Sequence, residues 1–131
     1  MNIQRIDHVV ITTQDLAKCL AFYEGVLGME HREMNGRHAL HFGRTKFNIH
    51  TVKGEFQPAA RYPTYGSLDL CLIVEGTIEG VRRELEAKGM PVELGIVERT
   101  GAEGRIDSIY LRDPDGNLVE IGVYPERTEK R

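Results

Sequence analysis

Residues 8–29 read HVVITTQDLAKCLAFYEGVLGM, and residues 69–90 read DLCLIVEGTIEGVRRELEAKGM. The two stretches align without a gap, and that alignment decides the fold. In the first, Ile6-Asp7-His8-Val9-Val10-Ile11 reads as a strand. Leu16, Leu20, Tyr23 and Leu27 then recur at helical spacing, with Asp15 as the N-cap and Gly28 as the stop. In the second, Leu68 to Val74 reads as a strand, and Ile78, Val81 and Leu85 lie on a helix that ends at Gly89. Both helices finish in Gly-Met, where glycine suits the left-handed turn that closes a helix. Two such pairs in one register indicate an internal duplication.

Working outward, the back halves each read as a hairpin. In the first copy the hairpin runs over 37–43 and 46–52, and in the second over 105–112 and 118–124. The second is joined by Asp113-Pro114-Asp115-Gly116-Asn117, which supplies proline to preset a turn and Gly or Asn for unusual dihedrals. Matching the closing strands pairs His50 with Glu120. The offset between copies then rises from 61 at His8 and Asp69 to 70 at His50 and Glu120, which places nine extra residues in a polar loop near 98–104. The segment 56–65, with two prolines, reads as the linker. Each copy is thus strand, helix and three strands, over 4–55 and 66–125 within one domain of 1–131. The expected class is α+β: tandem βαβββ modules forming a curved, partly open mixed sheet around a cavity, with helices outside.

Composition adds bounds rather than identity. Hydrophobic residues make up 40% of the chain and charged residues 28%, the profile of a globular protein with a modest core. A formal charge of −3 gives no electrostatic reason to expect nucleic acid or an anionic membrane as partner. No apolar run approaches the roughly 20 residues of a membrane span, and the N-terminus is polar rather than signal-like. Two cysteines, Cys19 and Cys71, without a dense framework suggest a reduced, cytoplasmic setting.

Strand alternation sorts side chains by face. Leu68, Leu70, Leu72 and Val74 form an apolar face suited to lie beneath a helix, leaving Asp69, Cys71 and Ile73 opposite. By the same alternation His8, Asn48 and His50 face inward in the first copy, and Leu118 and Glu120 in the second. Four potential ligands, His8, His50, Asp69 and Glu120, thus fall at positions that the repeat treats as equivalent. Two imidazoles and two carboxylates suit a divalent ion such as zinc, nickel, iron, manganese or cobalt. Taken singly, each has an ordinary reading: a strand histidine is commonly solvent-facing, and an aspartate among leucines can accept a buried hydrogen bond.

At these residues the sequence resembles the vicinal oxygen chelate superfamily, which includes glyoxalase I, bleomycin- and fosfomycin-resistance proteins and extradiol dioxygenases. The resemblance rests on the strand at 6–11, the helix end Phe22-Tyr23-Glu24-Gly25-Val26-Leu27-Gly28, and the stretch from Leu111 to Glu120. It implies that His8 and Glu120 are metal ligands. In the best-known glyoxalases the ligand at the place of His50 is Glu and that at Asp69 is His, so the residue types are exchanged here. The resemblance also implies a homodimer, with sites that two chains can share.

The leading expectation is a metal-dependent lyase or isomerase of glyoxalase type on a small oxygenated substrate, with Glu120 or His50 moving a proton. The alternatives are an iron-dependent dioxygenase of the same fold and a non-enzymatic ligand-binding module. Further pocket candidates are His38, if its strand matches the register of Ser108 and Tyr110, together with Tyr110, Arg37, Arg99, Arg105 and Cys71.

Overall fold

A computed structural model describes residues 1–125. The element order is β1 (His8–Thr12), α1 (Leu16–Leu20), a π-helical segment (Ala21–Val26), β2 (Glu30–Met34), β3 (Arg37–Phe42), β4 (Thr45–His50), β5 (Asp69–Ile73), α2 (Ile78–Ala87), β6 (Leu94–Gly101), β7 (Gly104–Arg112) and β8 (Leu118–Val123). The strands form two four-stranded sheets, ordered β1-β4-β3-β2 and β5-β8-β7-β6. In each, the first strand pairs parallel with the last, while the remaining pairs are antiparallel. This is the tandem βαβββ arrangement in an α+β chain. The chain divides into two compact units, Met1–Gly66 and a second beginning at Ser67. No helix among the described residues is long and apolar enough to cross a membrane.

In the first unit, the Asp15 carboxylate accepts from the Lys18 amide at 3.0 Å and starts α1. The spacing predicts one regular helix to Leu27, whereas the turn widens to π geometry from Ala21. A π turn holds more residues than an α turn, so neighbouring side chains diverge less. Phe22 and Tyr23 are both buried as a result, with their rings edge to face at 4.8 Å and Tyr23 against Phe47 at 5.8 Å. Ile11, Leu40, Phe47 and Ile49 complete this core from the sheet. Gly28 sits at φ +79° and ends the helix as expected. Nothing lies within 4 Å of a Cβ built there, so Gly28→Ala should cost only the backbone penalty, about 1 kcal/mol, read from urea unfolding.

The second unit repeats the plan. Thr77 caps α2 by accepting from the Gly80 amide at 3.1 Å, and Ile78 and Leu85 pack inward with Ile109, Leu111, Val119 and Ile121. Gly89, at φ +68°, closes α2 as Gly28 closes the first helix.

The expected polar loop at 98–104 is instead mostly strand. β6 and β7 are eight and nine residues long against five and six for β2 and β3, so the added residues extend a hairpin. The segment 56–65 contains no helix or strand, as its prolines imply.

The two parallel pairings measure the duplication directly. Residue i of β1 pairs with i+38 of β4, since His8 opposes Lys46, and residue i of β5 pairs with i+49 of β8, since Asp69 opposes Leu118. Eleven residues, not nine, are therefore added in the second copy. The counterpart of Glu120 is Asn48, and His50 corresponds to Gly122. The expected match of His50 with Glu120 is corrected by two residues. A shift of two preserves the face and so leaves no trace in the alternation pattern.

Candidate functional site

The face of the first sheet opposite its core is built in three rows. Across the strands they hold His8, Lys46, His41 and Glu30; then Val10, Asn48, Ala39 and Arg32; then Thr12 and His50, with Arg37 and Met34 completing the row by alternation. His8 and His50 are on one face but four residues apart along the strands, about 13 Å at ~3.3 Å per residue. Asn48 lies halfway.

His8 carries a defined tautomer. Its Nδ1 is 2.9 Å from Asp7 Oδ1, and this hydrogen bond is the main cause that lowers the Asp7 pKa. An ionised carboxylate only accepts, so Nδ1 bears the hydrogen and Nε2 of the neutral ring presents a lone pair. His50 is half-buried and meets the Phe56 ring edge to face at 5.1 Å. No hydrogen bond engages the side chains of Asn48 or His50 among the described residues.

In the second unit, Glu120 on β8 lies between Cys71 on β5 and Tyr110 on β7. The buried Ser108 hydroxyl donates to Glu120 Oε2 at 2.6 Å, which fixes the carboxylate and leaves Oε1 free of protein donors among the described residues. Asp69 is exposed and stands diagonal to Glu120 on the same face, two residues before Cys71. The Cys71 thiol is pushed up to about 11, first by burial and then by the Glu120 charge, so it is no thiolate at neutral pH. Tyr110 accepts from Arg99 Nε at 3.0 Å, and Arg105 is engaged by Asp107 at 3.2 Å and Glu98 at 3.6 Å.

His38 falls elsewhere. It opposes Ile49, on the face of Leu40 and Phe47 rather than that of Asn48, because Ala39 and not His38 is the counterpart of Tyr110. There its Nδ1 meets His31 Nε2 at 2.9 Å. The rings are nearly coplanar at 14° with centroids 5.1 Å apart, so they meet nitrogen to nitrogen and share one hydrogen. The sequence also left unnoticed the Phe56 ring, which sits in the linker and carries the Arg37 guanidinium at 4.0 Å.

No three His, Cys, Asp or Glu side chains come together as a metal-binding group among the described residues. The donor chemistry nevertheless fits a divalent ion residue by residue. His8 offers an oriented imidazole nitrogen, Glu120 a carboxylate held by one oxygen with the other open, and Asp69 an exposed carboxylate.

Residues 5–121 match the family model described as the Glyoxalase/Bleomycin resistance protein/Dioxygenase superfamily. The chain is 49% identical over 125 residues to Virulence protein STM3117 of Salmonella typhimurium, covering 95% of this chain and 87% of that protein. The crystal structure of that protein superposes with a TM-score of 0.91 over 95% of this chain and 99% of that one. Identity to the Glyoxalase domain-containing protein RDO1 of Mycosarcoma maydis is 42% over 127 residues, 96% of this chain and 72% of that protein. A lactoylglutathione lyase from Agrobacterium tumefaciens shares the fold at a TM-score of 0.72 and 24% identity, over 95% of this chain and 97% of that one.

Proposed function

Because the chain belongs to the Glyoxalase/Bleomycin resistance protein/Dioxygenase superfamily, we propose that it is a metal-dependent lyase or isomerase of glyoxalase type acting on a small oxygenated substrate. The observation that carries this reading is the orientation of His8 and Glu120. Each has one polar atom tied by a neighbour, Asp7 or Ser108, and the other left free of protein partners, as ligating side chains require. His8, Asp69 and Glu120 would hold the ion. When bound, it supplies Lewis acidity to neighbouring substrate oxygens.

His50 is the group to move a proton. Its ring nitrogens have no protein hydrogen bond among the described residues, and Phe56 shields one side of the ring. Glu120 is the other candidate base, with Ser108 fixing its orientation. We further propose that the chain works as a cytoplasmic homodimer, at twice 14.8 kDa in sedimentation.

The test is metal analysis after stripping and reconstitution with nickel, zinc, iron or manganese. About one ion per chain is expected with at least one of these metals. Near-zero occupancy with all four would sink the proposal. An iron-dependent dioxygenase is a second reading, favoured by the β1–β4 register. With His50 displaced from the counterpart of Glu120, three ligands remain and open positions are left for substrate and oxygen. Oxygen uptake with catechols by the iron form, absent from the nickel form, would select it.

A further inference from the structure

We propose that Arg37 and Asn48 form a carboxylate-binding subsite, so that the substrate is an oxygenated carboxylic acid; this rests on the reading that the face bearing His8 and His50 belongs to the active site. That face of the first sheet forms a groove of about 1240 Å³, lined by Arg37, Asn48 and His50 and walled by Phe56. The Arg37 guanidinium is held over the Phe56 ring at 4.0 Å, and the same ring touches His50. Stacking on an aromatic face fixes the planar fork and strips part of its hydration, while its N–H edge remains available to a ligand.

The other guanidinium group lining this groove, that of Arg32, sets Arg37 apart. Arg32 is bound by Glu30 through two bonds of 2.7 and 3.2 Å, and Arg5 pairs with Asp7 at 3.6 Å. Among the described residues no carboxylate lies within 4.0 Å of Arg37. The Asn48 side-chain amide, on the adjacent strand, likewise has no protein partner there. Asn48 opposes Ala39, which lies two residues from Arg37 and on the same face of the sheet. A guanidinium fork and an amide N–H₂ lining one groove match the two oxygens of a carboxylate. The charge balance agrees. One unpaired guanidinium, a neutral amide and Glu33 in the same groove suit a single planar carboxylate group better than a compact phosphate with two charges on one centre. Lys46, at the other end of the face, acts on Asp7.

Calorimetric titration of the metal-stripped protein with succinate at low ionic strength tests this, with succinamide as the uncharged analogue and inorganic phosphate as a competing anion. Succinate is expected to bind in the millimolar range, with succinamide and phosphate each weaker. Arg37→Gln is expected to weaken succinate at least ~10-fold, Asn48→Ala ~5-fold, and Arg37→Lys, which keeps charge but loses the fork, to fall between wild type and Arg37→Gln. Unchanged succinate affinity in Arg37→Gln, equal affinity for succinamide, tighter binding of phosphate, or no binding by wild type would each overturn the subsite. Circular dichroism checks that the variants fold, which the exposed position of Arg37 favours. Metal occupancy of Arg37→Gln after reconstitution should equal wild type, so a failed subsite leaves the metal reading standing. Conversely, succinate binding without any metal uptake would strike only the metal reading.

Discussion

Asn117→Ala should lower the unfolding free energy by about 3 kcal/mol, among the larger losses available from removing a single polar group. The Asn117 amide nitrogen donates to Asp113 Oδ2 at 2.7 Å, and its oxygen accepts from the Leu68 amide at 2.8 Å. Both Asn117 and Asp113 are buried, at 1% and 4% exposure, so truncation takes one donor from a buried carboxylate and removes the acceptor of the Leu68 N–H. Asp113 Oδ1 meanwhile accepts from the amides of Asp115 and Asn117, each at 2.9 Å, and the Arg112 guanidinium bonds the Gly116 carbonyl at 3.1 Å. The turn is therefore a buried polar network, and its worth exceeds that of any one bond. Asn117→Asp should be at least as damaging at neutral pH, because it sets a second carboxylate against Asp113. Urea unfolding followed by circular dichroism measures both. A loss below 1 kcal/mol in Asn117→Ala would show that the network does not carry the turn.

That network also sets the positions of Asp69 and Glu120, the proposed ligands of the second module. Leu68 immediately precedes Asp69, and Leu118, whose amide bonds the Leu68 carbonyl at 3.0 Å, lies two residues before Glu120. The most specific stretch of the sequence thus acts one step away from the chemistry, by fixing where β5 and β8 begin.

The second large effect is on metal affinity. His8→Ala and Glu120→Gln should each weaken it by at least ~100-fold, because each removes a proposed donor or its charge. Removing the orienting partners, by Asp7→Ala or Ser108→Ala, should cost about 10-fold, the lower end of what such supports contribute. His50→Ala should leave affinity within about 3-fold of wild type, since its backbone position lies two residues beyond the counterpart of Glu120. Competition against a chromophoric chelator separates these cases. Loss in His50→Ala equal to that in His8→Ala would restore His50 as a ligand. Wild-type affinity in Glu120→Gln would remove the proposed centre.

The duplication was legible because each half announces its helix end twice over, with a hydrophobic period and a Gly-Met stop, and both signals are local. Inward and outward faces were legible wherever a strand alternates cleanly, as at Asp69, Cys71 and Glu120. Register was not. A shift of two residues keeps every side chain on its face, so only hydrogen-bonded partners distinguish Asn48 from His50 as the counterpart of Glu120. A shift of one is what misplaced His38: its strand runs Arg-His-Ala-Leu-His-Phe, where histidines occur in both phases. The Arg37–Phe56 stack was illegible for another reason. It joins a strand to a segment without regular structure, and no period reports where such a segment returns.

The parallel pairing of first strand with last also bears on how the chain assembles. Each sheet is closed by contacts 38 or 49 residues apart and borrows no strand from the other half. Such non-local closure is slow relative to helix or hairpin formation, so each half should cross its own entropic barrier, the second later because its loop is longer. Two nascent chains can also trade halves without breaking a single ladder bond among the described residues.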